Sequence, residues 1–217
     1  MDNTDGRCAS LHALLNSLER FRYPFDESKI PLNGIYVFFE KGETSHGTDR
    51  IVRIGTHNGQ DQLRSRLVQH LVNENKDRSI FRKNIGRAII SKSGNAKLLE
   101  MWEKDRTTRK GKAESASFDL DAIIQIEKQV SNYMRSNLSF VVFEVKKKEE
   151  RLFLESRLIS TVSLCGSCKP SPGWLGNFSP KPKIRESGLW LVNELYKAPL
   201  SDTELEELKV RLGRPDA

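Results

Sequence analysis

The chain is poor in the features that most directly assign a protein. None of its apolar runs approaches the ~20 residues that a membrane-spanning helix needs, so no membrane partner is expected. Cysteine is scarce and odd in number, three in 217 residues, which argues against a disulfide scaffold and for a reducing, cytoplasmic setting. The opening MDNTDGRCAS has neither the basic nor the apolar region of a secretory signal. No internal repeat is present. What the chain does have is charge: 36 Lys and Arg against 29 Asp and Glu, a formal net charge of +7 and a pI near 9.3. That balance makes a polyanion the leading partner without dictating a fold.

The hydropathy pattern predicts a helix over 10–21 on Leu11, Leu14, Leu15 and Leu18. Strands are expected at 34–40 (GIYVFFE), 51–55 (IVRIG) and 138–145 (LSFVVFEV). The first two, joined by a polar loop over 41–50, form an antiparallel hairpin. Symmetric closure sets Tyr36 opposite Gly55, Phe38 opposite Arg53 and Glu40 opposite Ile51. Helices follow at 61–73, 79–90, 96–104, 121–135 and 149–163, and a Ser201–Glu204 capping box opens a last one. The stretch 105–118 is polar, basic and aperiodic and reads as a mobile loop. The stretch 165–188, with four Pro and four Gly, reads as mostly irregular. The resulting class is α+β: a small, mainly antiparallel sheet flanked by helices.

Two helices carry polar residues where apolar ones belong. On the wheel of 149–163, Glu155 falls amid Leu152, Leu158, Ile159 and Val162. A carboxylate there needs a cation, a hydrogen-bond network or a metal. A structural ion pair, with Arg157 or with a basic residue of another helix, is the plain answer. On the helix bearing Leu63, Leu67 and Leu71, Arg66 and His70 lie beside the stripe as i,i+4 neighbours. A guanidinium fork and an imidazole together suit phosphate oxygens; a snorkelling Arg and a satisfied core His would explain them as well.

Taken in order, these residues resemble the GIY-YIG nuclease superfamily. Gly34-Ile35-Tyr36 matches the first motif, and Arg53-Ile54-Gly55 stands where the second is expected. Arg66 and His70 follow on the next helix, Glu155 on a later one, and Asn177 in a Gly-rich stretch. The strings VRIGTH, LRSRLVQH, WLGNFS and SGLW are similar to a group of bacterial GIY-YIG proteins. The resemblance covers about 33–177, with a helical insert near 79–135. It leaves 1–32 as an N-terminal helix and connector and 178–217 as a C-terminal extension. One departure stands out: Arg53 replaces the second motif's Tyr and is too basic to act as a proton acceptor.

The resemblance implies a Mg²⁺-dependent DNA endonuclease, with Mn²⁺ able to substitute and no organic cofactor. Glu155 would hold the metal, Arg66 would clamp the non-bridging oxygens, and Tyr36 would position or deprotonate the attacking water. Arg53 or His57 would assist, His70 would orient Tyr36 or touch phosphate, and Asn177 would support Glu155 or Tyr36. Restriction, defence and structure-specific repair all fit such an enzyme. Two-strand cutting by a one-site domain would call for a homodimer. The rival readings are a non-catalytic nucleic-acid-binding module, motivated by Arg53, and a protein-interaction domain.

For a DNA track the insert offers Arg78, Arg82, Lys83, Arg87, Lys92 and Lys97. The loop adds Arg106, Arg109, Lys110 and Lys112, and Lys146, Lys147 and Lys148 follow the third strand. Each has a plainer reading as a solvated face. Trp174, Trp190 and Phe178 either stack on bases or pin the irregular segment to the core. Cys165-Gly-Ser-Cys168 has CxxC spacing, but a zinc site needs four ligands. Only Cys8 and four scattered His remain to supply the other two, so a zinc site is not expected.

Overall fold

Residues 34 to 40 are buried without alternation, which a strand tolerates only if both of its faces are covered. The computed structural model, which describes residues 3–105, 107 and 119–213, shows why. Strand β1 (Gly34–Ser45) lies at the centre of a three-stranded antiparallel sheet, between β2 (Thr48–Gly55) and β3 (Leu138–Glu144). The order of the remaining elements is α1 (Thr4–Asn16), α2 (Leu63–Leu71), α3 (Ile80–Lys92), α4 (Ala96–Glu103), α5 (Leu120–Asn137), α6 (Lys148–Leu164), α7 (Pro182–Ser187) and α8 (Asp202–Arg211). The chain is α+β, as expected.

One face of the sheet presents Tyr36, Phe38, Val52 and Phe140 to Leu63 and Leu67 of α2, Phe81 and Ile85 of α3 and Val130 and Met134 of α5. The other presents Ile35, Val37, Phe39 and Val141 to Leu11 and Leu15 of α1, Leu158 and Val162 of α6 and Leu205 and Leu208 of α8. Segments from both ends of the chain therefore share the core built on the central strand.

Two expected pairings occur, Tyr36 with Gly55 and Phe38 with Arg53. The third does not: a bulge puts Phe39, not Glu40, opposite Ile51 and leaves Val52 as the extra residue. The displaced Val52 carbonyl accepts the Trp190 N–H at 2.7 Å, so the irregularity docks the C-terminal segment. The polar loop expected over 41–50 is also shorter than predicted. Both strands continue through it and close in a two-residue turn at His46-Gly47, with φ of 51° and 75°. Positive φ at both positions is what a type I′ hairpin turn requires.

Helix α1 begins before the predicted 10–21 segment because Asn3 caps it, accepting the Gly6 N–H at 3.2 Å. The predicted Ser201–Glu204 capping box is present on α8. Within 165–188, a 3₁₀ turn (Leu175–Phe178) and α7 break the expected irregularity. The predicted loop 105–118, with Arg106, Arg109, Lys110 and Lys112, lies almost wholly outside the described residues.

The insert corrects the DNA-track reading of its cations. Arg82 is fully buried; its guanidinium pairs with Glu127 of α5 at 2.8 Å and also donates to the His70 carbonyl and Ser131 Oγ. Arg87 is buried against Glu103 of α4, and Lys83 is turned onto the Glu103 carbonyl at 2.7 Å. These cations fasten α3 to α4 and α5. Of the six insert residues put forward for the DNA track, Arg78, Lys92 and Lys97 are exposed, and Arg82, Lys83 and Arg87 are not. Trp174 and Trp190 pin the irregular segment to the core, as one of their two readings expects: both indole N–H groups donate to the buried Glu40 carboxylate, at 3.0 and 2.9 Å, so neither is free to stack on a base. Removing one partner of a buried pair strands the other charge, at a cost of about 3–5 kcal/mol. Arg82→Met should therefore lower the urea midpoint by a corresponding amount, measured by equilibrium unfolding, whereas Arg78→Met should leave it unchanged.

Candidate active site

The glycines of both sequence motifs are steric requirements. A Cβ on Gly34 would collide with the Phe143 carbonyl across the sheet, and one on Gly55 would collide with the Tyr36 ring and hydroxyl. Only glycine in β2 lets the phenol lie across its neighbour. Tyr36 is thereby held 1% exposed, with Oη 3.0 Å from His70 Nε2. His70 Nδ1 is in turn 2.7 Å from Ser79 Oγ, which caps α3 by accepting the Arg82 N–H. Burial, then the Arg66, Arg53 and Arg82 charges, push the His70 pKa well down, so the imidazole is neutral. A neutral ring at this distance can accept the phenol proton or donate to the phenol oxygen, depending on its tautomer.

The loop after β2 ties this strand pair to α6. Thr56 Oγ1 donates to the Gly34 carbonyl at 2.7 Å, and the Thr56 N–H donates to Glu155 Oε1 at 3.1 Å. His57 Nε2 accepts the Gly34 N–H, and its Nδ1 donates to the Gly59 carbonyl at 2.8 Å. The ring is thus neutral, its pKa lowered by burial, and both nitrogens are used on backbone. Arg151, one turn before Glu155 on α6, is buried and donates to the Val145, Lys146 and Gly59 carbonyls. It locks the start of α6 onto the same loop.

Glu155 is half-buried and is not paired with Arg157, which instead meets Glu204 at 3.3 Å. It lines a cavity of about 380 Å³ together with Arg53, Asn84, Asn193 and Glu194. Leu152, expected in the buried stripe, is 38% exposed and stands in the same lining. Burial raises the Glu155 pKa, while the Arg53 charge and the Thr56 N–H pull it back. Arg53 is buried, donates to the Trp190 carbonyl and lies over the Phe81 ring, 4.6 Å from its centroid. Its Nε has no partner among the described residues. Nor does Asn84 Nδ2, although Arg87 fixes that amide by donating to its Oδ1 at 2.6 Å.

The other candidates lie farther off. Arg66 lines an adjoining depression of about 250 Å³ with Thr56 and His57, and its guanidinium donates to Gln69 and to the Arg78 carbonyl. Asn177 is in neither lining and bonds neither Glu155 nor Tyr36; its amide closes a turn onto the Ser171 and Pro172 carbonyls. Sequence reasoning missed Asn84, Asn193 and Glu194. The one signal of that kind was the SGLW string, which shortly precedes Asn193 and Glu194 in sequence.

A hairpin carrying GIY beside RIG, an Arg/His helix and a helix bearing an unpaired carboxylate define a nuclease-type core. A family model described as GIY-YIG domain matches residues 7–213. The chain belongs to the GIY-YIG family, whose members are generally endonucleases that hydrolyse phosphodiester bonds. The match reaches well beyond 33–177 and takes in α1 and α8. Searches of curated proteins and of solved structures returned no match.

The buried His70 leads to a pH prediction. Its folded pKa lies below the ordinary 6.5, so the unfolded chain binds the extra proton. Stability from this group is complete above pH 6.5 and is lost as pH falls toward the folded value, by about 1.4 kcal/mol per pH unit. Urea unfolding from pH 7.5 to 5.5 should show that decline, with His57 adding to it in the same direction. His70→Gln should be less stable at pH 7.5 but fall about one proton less steeply.

Proposed function

We propose that this chain is a metal-dependent DNA endonuclease whose reaction centre is the Glu155 cavity. The observation that carries the reading is the pairing, in one lining, of carboxylates with donors that lack partners. Glu155 and Glu194 offer hard oxygen ligands, while Arg53 Nε and Asn84 Nδ2 are buried N–H donors without an acceptor among the described residues. Oxygen donors suit Mg²⁺, or Mn²⁺ in its place. Unsatisfied N–H groups suit a phosphate oxygen.

Glu155 would hold the cation, and its raised pKa makes a cation the natural way to keep it ionised. When bound, the metal supplies Lewis-acid stabilisation of charge on the phosphate and leaving oxygen. The remaining work belongs to the chain. Arg53 and Asn84 bind non-bridging oxygens, and Arg66 reaches the phosphate from the adjoining depression. Tyr36 lines neither the cavity nor the depression; it is buried across Gly55 with its hydroxyl on neutral His70, which can take up or return its proton. Gly55 sets the Tyr36 position, and Arg151 and Thr56 set that of Glu155. Lys146, Lys147 and Lys148 are exposed at the start of α6, two turns before Glu155, where they can meet the flanking backbone.

The test is cleavage of plasmid and of single-stranded DNA with Mg²⁺, with and without chelator. Glu155→Gln should lose at least about 10²-fold in rate and still bind DNA in a gel shift. Gly55→Ala, which displaces Tyr36 without touching the cavity carboxylates, should also lose activity. Metal-dependent cutting retained by Glu155→Gln would falsify the assignment. Salt-sensitive binding by a wild-type chain that never cuts would favour the non-catalytic module.

A further inference from the structure

At the other end of the hairpin from the Glu155 cavity, four soft ligands converge. Cys8 comes from α1, His46 from the β1–β2 turn, and Cys165 and Cys168 from the turn that follows α6. Their Sγ and imidazole nitrogen atoms all lie within 4.8 Å of one another. The sequence leaves these residues scattered; the fold supplies the two ligands that the CxxC pair lacked. We propose that they form a structural Zn²⁺ site of the Cys₃His type.

The distances suit a tetrahedral ion. Bonds near 2.3 Å to sulfur and 2.0–2.1 Å to nitrogen put ligand atoms about 3.5–3.8 Å apart. Cys8 Sγ is 3.4 Å from Cys168 Sγ, and His46 Nε2 is 3.3 Å from Cys165 Sγ and 3.6 Å from Cys168 Sγ. All three cysteines are free and buried. With four protein ligands the centre is closed, as in structural rather than catalytic zinc sites, and three thiolates select zinc over Mg²⁺.

The surroundings fit the same ion. His12 is the rival nitrogen ligand, but its Nδ1 donates to the Cys8 carbonyl at 2.9 Å and its Nε2 accepts the Ile51 N–H. It is a neutral support with its lone pair occupied. Ser45 Oγ lies 3.2 Å from Cys168 Sγ, placed to donate to a thiolate. Asp5 accepts the Gly166 N–H and the Ser167 hydroxyl, shaping the turn between the paired cysteines. His46 itself sits at φ 51°, in a turn position that Asn or Gly fills more readily. A ligand role accounts for a His there. The ion would join three distant segments and anchor the C-terminal end of α6, about 15 Å along the helix from Glu155.

Zinc in the full-length chain, purified from zinc-supplemented medium, should measure about one ion per chain. Cobalt added to the zinc-free chain should give the thiolate charge-transfer band and the visible bands of a tetrahedral site. His46→Asn is the informative variant because it suits the turn: if His46 only makes the turn, zinc stays. If His46 is a ligand, zinc affinity falls by at least about tenfold and chelator removes the ion readily. Glu155→Gln should keep its zinc, which separates this site from the proposed catalytic one. A chain that holds no zinc and shows no cobalt–thiolate band would overturn the site, as would a Cys8–Cys168 disulfide in the freshly purified protein or full zinc retention by His46→Asn.

Discussion

The central strand is the constraint on which the molecule rests. β1 is hydrogen-bonded along both edges and covered on both faces, so every side chain from Ile35 to Phe39 is committed to one of two cores. A one-residue slip would exchange those faces wholesale. Two glycines let the neighbours close in, and their missing side chains leave the Tyr36 phenol a single resting place against β2. The GIY and RIG triplets are therefore packing instructions before they are chemical ones. The same strand runs from the Glu155 loop at Gly34 to the cysteine cluster at His46, and one register fixes both ends.

The insert shows how little a net charge says about a binding face. Arg82 and Arg87 of the insert, and Arg50 of β2, are buried and paired with Glu127, Glu103 and Glu43. These pairs hold elements together and offer nothing to a polyanion. The positive charge that still faces solvent beside α6 comes from Lys146, Lys147 and Lys148, next to the helix that carries Glu155. Burial, rather than the count of +7, decides which cations can meet a phosphate.

Much of this architecture was legible in local pattern. β-branched and aromatic runs marked the strands, and the Tyr36–Gly55 pairing followed from counting across the turn. Glu155 betrayed itself by standing on an apolar stripe. Other features depend on contacts that no window of sequence contains. The Val52 bulge exists because Trp190 takes its carbonyl, and Arg82 is internal because Glu127, 45 residues on, faces it. Asn84 has no marking pattern of its own in the sequence; Arg87, three residues on, holds one end of its amide. The CxxC pair was discounted for want of two ligands, and those arrive from residues 8 and 46 through tertiary folding. Asn177 had motif order in its favour, yet the turn it closes lies outside the cavity.

Buried polar atoms are almost always satisfied, and leaving one unpaired costs about 1–3 kcal/mol. Among the described residues Ser91 Oγ and Arg151 Nε also lack partners, but neither residue lines the Glu155 cavity. Arg53 Nε and Asn84 Nδ2 are unpartnered among the described residues, and both residues line the cavity that contains a half-buried carboxylate with a raised pKa. Other buried groups are well engaged: Arg82 makes four kinds of contact, and the Glu40 carboxylate accepts from two indoles and a phenol. On the proposed reading, a bound cation would complete the acid and a phosphate oxygen would complete the two donors.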